Sequence, residues 1–178
     1  MMIKEQGNMT GHGYSILGKL KMGFTCSAFD LLHAGHILML EEARSQCDYL
    51  IVGLQNDPSV DRIEKNKPIQ SLVERYLQLK ALKNVNEIIV YNTEKDLEDL
   101  LLILPIKIRF VGEEYKDKDL TGRETCNERG IEIYYNKREH TFSTTELRAR
   151  IARMESQKTS YTLNVEPSRV GTIKWTEP

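Results

Sequence analysis

Cysteine is scarce in this 178-residue chain, and the three present, Cys26, Cys47 and Cys126, form no C-x-x-C pair. An odd number at such spacings, in a chain of ordinary domain length, argues against a disulfide framework and points to a reducing compartment, which we read as the cytoplasm. An excess of either charge is also lacking: Lys and Arg total 25 against 26 Asp and Glu, a formal charge of −1. Net charge therefore supplies no attraction to nucleic acid or to anionic lipid, and a small-molecule partner is expected instead. No apolar run approaches the ~18 residues of a membrane span. The first twenty residues, studded with Gly, Asn, Gln and His, hold no apolar core of a secretory signal.

What is present suits a folded domain. The AVILMFWYC share is 40%, supplemented by 11 glycines, an ordinary value for globular proteins. The length is that of one domain able to bury a core without metal or disulfide staples. From Lys21 onward, apolar runs of strand length alternate with stretches of helical period, the pattern of repeated βαβ units around a parallel sheet. Strands are expected at Met22 to Cys26, Tyr49 to Leu54, Ile88 to Tyr91, Ile106 to Val111 and Ile131 to Tyr135. Ile37, Leu38, Leu40 and Ala43, then Leu72, Tyr76, Leu79 and Leu82, recur at three- and four-residue intervals and predict two amphipathic helices. A further helix around Leu97 to Leu104 should stop at Pro105. Ser71-Leu-Val-Glu74 and Ser143-Thr-Thr-Glu146 read as capping boxes that start helices.

The expected fold is α/β: a Rossmann-like, doubly wound, five-stranded parallel sheet forming a single domain over residues 21–155. Residues 1–20 and 156–178 read as polar extensions without sustained periodicity. Val165, Val170, Ile173 and Trp175 leave the second able to dock on the domain or on another subunit.

Chemistry is expected where the first strand runs out. Open α/β sheets bind ligands beyond the carboxyl ends of their strands, and here the chain passes through Thr25-Cys-Ser-Ala-Phe-Asp30 into His33-Ala-Gly-His36. Gly35 allows close approach of the backbone, and a helix beginning there aims free N–H groups and its positive dipole end at an anion. Two histidines three residues apart face one side, where their N–H donors can stabilise charge that builds on phosphoryl oxygens. The same pair could serve as half of a metal site. No H-E-x-x-H motif, cysteine cluster or evident third ligand accompanies it, so no metal is assigned to protein side chains.

Phe29-Asp30-Leu31-Leu32-His33-Ala34-Gly35-His36 resembles the signature of the cytidylyltransferase-like nucleotidyltransferases, above all the glycerol-3-phosphate cytidylyltransferases. Further segments extend the resemblance across about Met22 to Ile151. Lys65-Asn-Lys67 is similar to the family's paired lysines after the second strand, and Glu74-Arg75 to its arginine on the next helix. Arg138-Glu-His-Thr-Phe-Ser-Thr-Thr145 is similar to its Arg-Thr-Glu-Gly-Ile-Ser-Thr-Thr segment.

The resemblance implies Mg²⁺ with a nucleoside triphosphate, a small phosphorylated acceptor, release of pyrophosphate and a homodimer. It implies catalytic roles for His33, His36, Lys65 and Arg138. A nucleotide site is implied at Ser27, Ala28, Phe29, Asp30, Gly35, Lys67, Arg75, Gly112, Glu113, Glu114, Ser143, Thr144 and Thr145. Each has a plainer reading: solvated loop lysines, an Arg75 paired with Glu74 or Glu42, hydroxyls that only cap a helix.

Two departures bear on specificity. Ser27-Ala28 replaces the family's Gly-Thr, which predicts an altered loop. Ala34 stands where the glycerol-3-phosphate enzymes carry a large aromatic, and Lys67-Pro68-Ile69 with Glu74-Arg75 is similar to ATP-using heptose-phosphate adenylyltransferases. Arg138 ahead of Ser-Thr-Thr favours the cytidylyl branch, so CMP transfer from CTP is the first expectation and AMP transfer from ATP the second. A third is a non-catalytic nucleotide-binding regulator on the same fold.

Overall fold

The computed structural model describes residues 20–137 and 140–163, with side chains through residue 158. Arg138, most of the expected N-terminal extension, and the tail carrying Val165, Val170, Ile173 and Trp175 lie outside the described residues. The chain divides into two compact units, Met1–Thr141 and Phe142–Pro178.

The first unit carries five strands, β1 (Met22–Ser27), β2 (Tyr49–Gln55), β3 (Glu87–Tyr91), β4 (Ile108–Gly112) and β5 (Glu132–Asn136). Its helices are α1 (Ala34–Ser45), α2 (Leu72–Lys80), α3 (Glu94–Ile103) and the short α4 (Arg123–Glu128), with a 3₁₀ turn at Glu113–Tyr115. All strands pair in parallel in the order β3-β2-β1-β4-β5. The expected doubly wound sheet is thus present. Its strand order reverses between β1 and β4, which is where such sheets open a ligand crevice at their carboxyl edge.

Side-chain alternation along the strands builds a core on each face. On one, Leu40 and Ala43 of α1 and Leu79 of α2 pack with Leu50, Val52, Leu54, Ile108 and Phe110. On the other, Leu97 and Leu101 of α3 and Cys126 of α4 pack with Met22, Phe24, Ile51 and Tyr91. Burial on both faces explains why the strands read as nearly unbroken apolar runs. Gly23 permits the tight seating of α1, since a Cβ there would lie 2.6 Å from Phe110 and 2.7 Å from Cys47.

Helix starts follow local chemistry. Ser71 Oγ accepts from Glu74 N while Glu74 Oε2 accepts from Ser71 N, the reciprocal box read from the sequence. Thr93 and Asp96 make a second box, so α3 begins three residues before the expected Leu97. It ends at Ile103, ahead of Pro105. The second unit holds α5 (Thr144–Leu163), whose start is capped by Ser143 Oγ accepting from Glu146 N. This helix runs beyond 155 because good helix formers, Leu, Ala, Arg, Met, Glu, Gln and Lys, occupy all of residues 147–158 but Ile151 and Ser156.

Candidate active site

The turn from β1 into α1 is held in a conformation that costs energy. Phe29 and Leu31 both have φ of 49°, the left-handed region that side-chain-bearing residues avoid. Such strain persists only where surroundings impose it. Phe29 is 1% exposed in the core, and Leu31 N donates to Gln70 Oε1 at 2.8 Å. Between the two, Asp30 is 6% exposed and its Oδ1 accepts from the N–H groups of Ile69 and Gln70, each at 3.0 Å. Ser27 and Ala28 keep negative φ among the described residues. The glycine missing there relative to the family pattern is thus not a position that needs left-handed freedom.

His33 and His36 form the start of α1. His33 Nδ1 accepts from Gly35 N at 3.1 Å, and His36 Nδ1 accepts from His33 N at 3.4 Å. The two histidines thereby cap the helix as a Ser and a Glu do elsewhere. Their rings stack at 3.9 Å between centroids, and Phe29 tilts against His36 at 5.3 Å. An accepting Nδ1 carries no proton, so in each ring Nε2 is the nitrogen left to carry one. Burial, then the neighbouring His33, push His36 down from 6.5 to about 3, with Asp30 opposing weakly. His36 is therefore a neutral hydrogen-bond donor at physiological pH.

Arg75 turns inward beneath the turn. At 2% exposed it faces the interior. Its Nε donates to Gln70 O at 3.1 Å, NH1 to Ala28 O at 2.8 Å and Gln55 O at 2.7 Å, and NH2 to Asn56 O at 2.6 Å. These carbonyls belong to the β1–α1 turn, the end of β2 and the approach to α2. The guanidinium frames the site through these four carbonyls, and neither Glu74 nor Glu42 is among its hydrogen-bond partners.

The lysines occupy the long connection from β2 to α2, residues 56–71. Lys65 and Lys67 are both exposed. Gly112, Glu113 and Glu114 sit where β4 ends, at the crevice, with Glu113 in an ion pair with Lys116 at 2.9 Å. Ser143, Thr144 and Thr145 open α5 in the second unit. The structure thus gathers Ser27 to His36 with the segment around Ile69 and Gln70, and places Gly112 at the adjoining strand end.

Sequence reasoning missed one carboxylate hub at this edge. Glu42 on α1 accepts from Tyr134 Oη at 3.0 Å, Asn136 Nδ2 at 3.0 Å and Lys137 N at 3.2 Å, which fixes the end of β5 against α1. A solvated helix glutamate and such a hub look alike in sequence.

Among the described residues no three His, Cys, Asp or Glu side chains come together as a metal site, and none of the described helices is long and apolar enough to cross a membrane.

The model of the cytidylyltransferase-like family matches residues 24–150. Among curated relatives, the bifunctional protein HldE of Hyphomonas neptunium is 36% identical over 140 residues, 78% of this chain and 28% of that protein. HldE of Granulibacter bethesdensis is 35% identical over 115 residues, 64% of this chain and 24% of that one. The chain spans about a quarter of the length of these relatives. They are HldE proteins, where the sequence motifs had pointed to glycerol-3-phosphate cytidylyltransferases. Among solved structures, the lipopolysaccharide core biosynthesis protein from Thermoplasma volcanium superposes with a TM-score of 0.55 at 26% identity, covering 67% of this chain and 99% of that one.

Proposed function

This chain belongs to the cytidylyltransferase-like family of nucleotidyltransferases, and from that premise we propose that it transfers AMP from ATP to a phosphorylated sugar of the heptose class, releasing pyrophosphate. The observation that carries the reaction type is the pair of stacked histidines at the start of α1, at the carboxyl edge of β1 beside the sheet's switch point. Lys67-Pro68-Ile69 with Glu74-Arg75, the small Ala34 and the HldE relatives support ATP and a sugar phosphate over the CTP reading.

The acceptor already carries a phosphate oxyanion, so no general base is required. One acceptor oxygen forms a bond to the α-phosphorus as the bond from that phosphorus to the α–β bridging oxygen breaks, and pyrophosphate leaves with the electron pair. Catalysis consists of alignment and of stabilising the charge that grows on the α-phosphoryl oxygens. His33 and His36 do this through Nε2–H, with the amides at the start of α1 adding the helix's positive end. Lys65 and Lys67 hold the outgoing phosphates; for Arg138, Ser143, Thr144 and Thr145 a phosphate-binding role rests on their sequence motif.

Mg²⁺ fits this site as a companion of the nucleotide. Mg²⁺ prefers oxygen ligands and keeps several waters, whereas the histidines offer nitrogen. Triphosphate oxygens would hold it, and it would supply neutralisation of phosphate charge.

CMP transfer to a glycerol-3-phosphate-like acceptor is the second reading, favoured by Arg138 ahead of Ser143-Thr144-Thr145. The deciding experiment is a panel of triphosphates against heptose 1-phosphate and glycerol 3-phosphate, read by pyrophosphate release. Turnover with ATP and the sugar phosphate is expected; turnover with CTP while ATP is inert overturns the assignment.

A further inference from the structure

The β2–α2 connection is longer than most loops within a domain, and long loops of this kind are usually functional. It is anchored at both ends on one residue. Gln55, the last residue of β2 and 1% exposed, gives its carbonyl to Arg75 at the rear of the loop. Its side-chain amide faces the front: Oε1 accepts from Arg62 NH2 at 2.8 Å, and Nε2 donates to Glu94 Oε1 at 3.2 Å.

Glu94, the first residue of α3, closes this front anchor. Its carboxylate pairs with Arg62 NH2 at 3.1 Å and also accepts from Thr121 Oγ1, while its own backbone N–H donates to Asp61 Oδ2 at 2.5 Å. Side chain and backbone of one residue therefore hold two consecutive loop residues, Asp61 and Arg62. The ion pair is largely sheltered, with 29% and 21% of the two side chains exposed, so it is less screened than a surface pair. Three residues beyond Arg62 comes Lys65, then Lys67, and two residues later Asp30 takes hold at Ile69 and Gln70.

We infer that Glu94 is a positioning residue for the lysine loop: by holding Asp61 and Arg62 against Gln55 it fixes where Lys65 and Lys67 are presented to a triphosphate. In its reference to a triphosphate the inference rests on the proposed function; the tether itself does not. The neutral isostere Glu94→Gln removes the charge that pairs Arg62 and leaves the rest of the site in place.

Two readouts test it on the full chain. The first is limited tryptic cleavage of the nucleotide-free protein under native conditions. Glu94→Gln should cut several-fold faster after Lys65, with cleavage at the exposed Lys83 unchanged; Lys67 precedes Pro68 and is not a tryptic site. The second is ATP dependence: KM for ATP should rise several-fold with kcat nearly constant, and Arg62→Gln should cost less in the Glu94→Gln background than in the wild type, since only its bond to Gln55 remains to be lost. Unchanged cleavage after Lys65, acceleration at Lys83 as well, or faster cleavage without a change in KM each overturns the positioning role. If the wild-type protein turns over no triphosphate, the proposed function fails, and the cleavage pattern alone still decides whether Glu94 tethers the loop.

Discussion

Residues 28–36 and residues 56–71 leave neighbouring strands at the same edge of the sheet, yet they are built by different means. The first connection is short and inward-facing: Phe29 and Asp30 are buried, two residues take left-handed φ, and two histidines cap the helix that follows. The second is long and carries exposed Lys65 and Lys67 between sheltered polar anchors. The contrast teaches that rigidity and reach are divided between them. On the proposed function, the groups that would meet one developing charge are held by a buried turn, whereas those that would follow a flexible polyphosphate are exposed and restrained only at the ends of their loop.

The comparison breaks most completely at Arg75, which belongs to both loops. Arg75→Met leaves four carbonyl groups without their donor. Unfolding in urea should show a loss of ~3 kcal/mol or more, since each unsatisfied buried group costs ~1–3 kcal/mol. Asp30→Ala, which removes the acceptor for two N–H groups of the second loop, should cost about 1.5–3 kcal/mol in the same measurement.

Acid should act on the first loop selectively. His36 is held at about 3 when folded against ~6.5 when unfolded. Between these values the unfolded chain binds a proton that the folded chain does not, so this contribution to stability is complete above pH 6.5 and is lost as pH falls toward 3. The Tm of His36→Gln should therefore fall less steeply than that of the wild type between pH 6.5 and 4. The smallest effect on stability belongs to the second loop: Lys65→Ala and Lys67→Ala should each stay within ~0.5 kcal/mol of wild type, while KM for ATP rises. A large loss of stability in either would show that the lysine loop is part of the core and would erase the contrast.

Much of the fold was legible because burial writes itself into composition. All five strands lie within two residues of their expected bounds, and the Ser71–Glu74 box forms as read. The octet Phe29 to His36 likewise announces a strand, a turn and a helix start. α4 was missed because Arg-Glu-Thr-Cys-Asn-Glu offers a single buried side chain, Cys126, too little for a period. Arg75, Glu42 and Glu94 were misjudged or overlooked for a shared reason. A charged residue on an amphipathic segment ordinarily faces water, and only the assembled loops reveal that these three reach inward to carbonyls, amides and one guanidinium. The strained pair Phe29 and Leu31 was equally hidden, since neither is a residue that advertises left-handed backbone.

The decisive measurement is the rate of pyrophosphate release from ATP at saturating sugar phosphate, compared between wild type and His36→Ala with folding verified at the same temperature. Removing one preorganised donor should lower kcat by ~10²–10³ with a smaller change in KM. A His36→Ala protein that is folded and turns over at the wild-type rate would contradict the assignment of this turn as the catalytic centre.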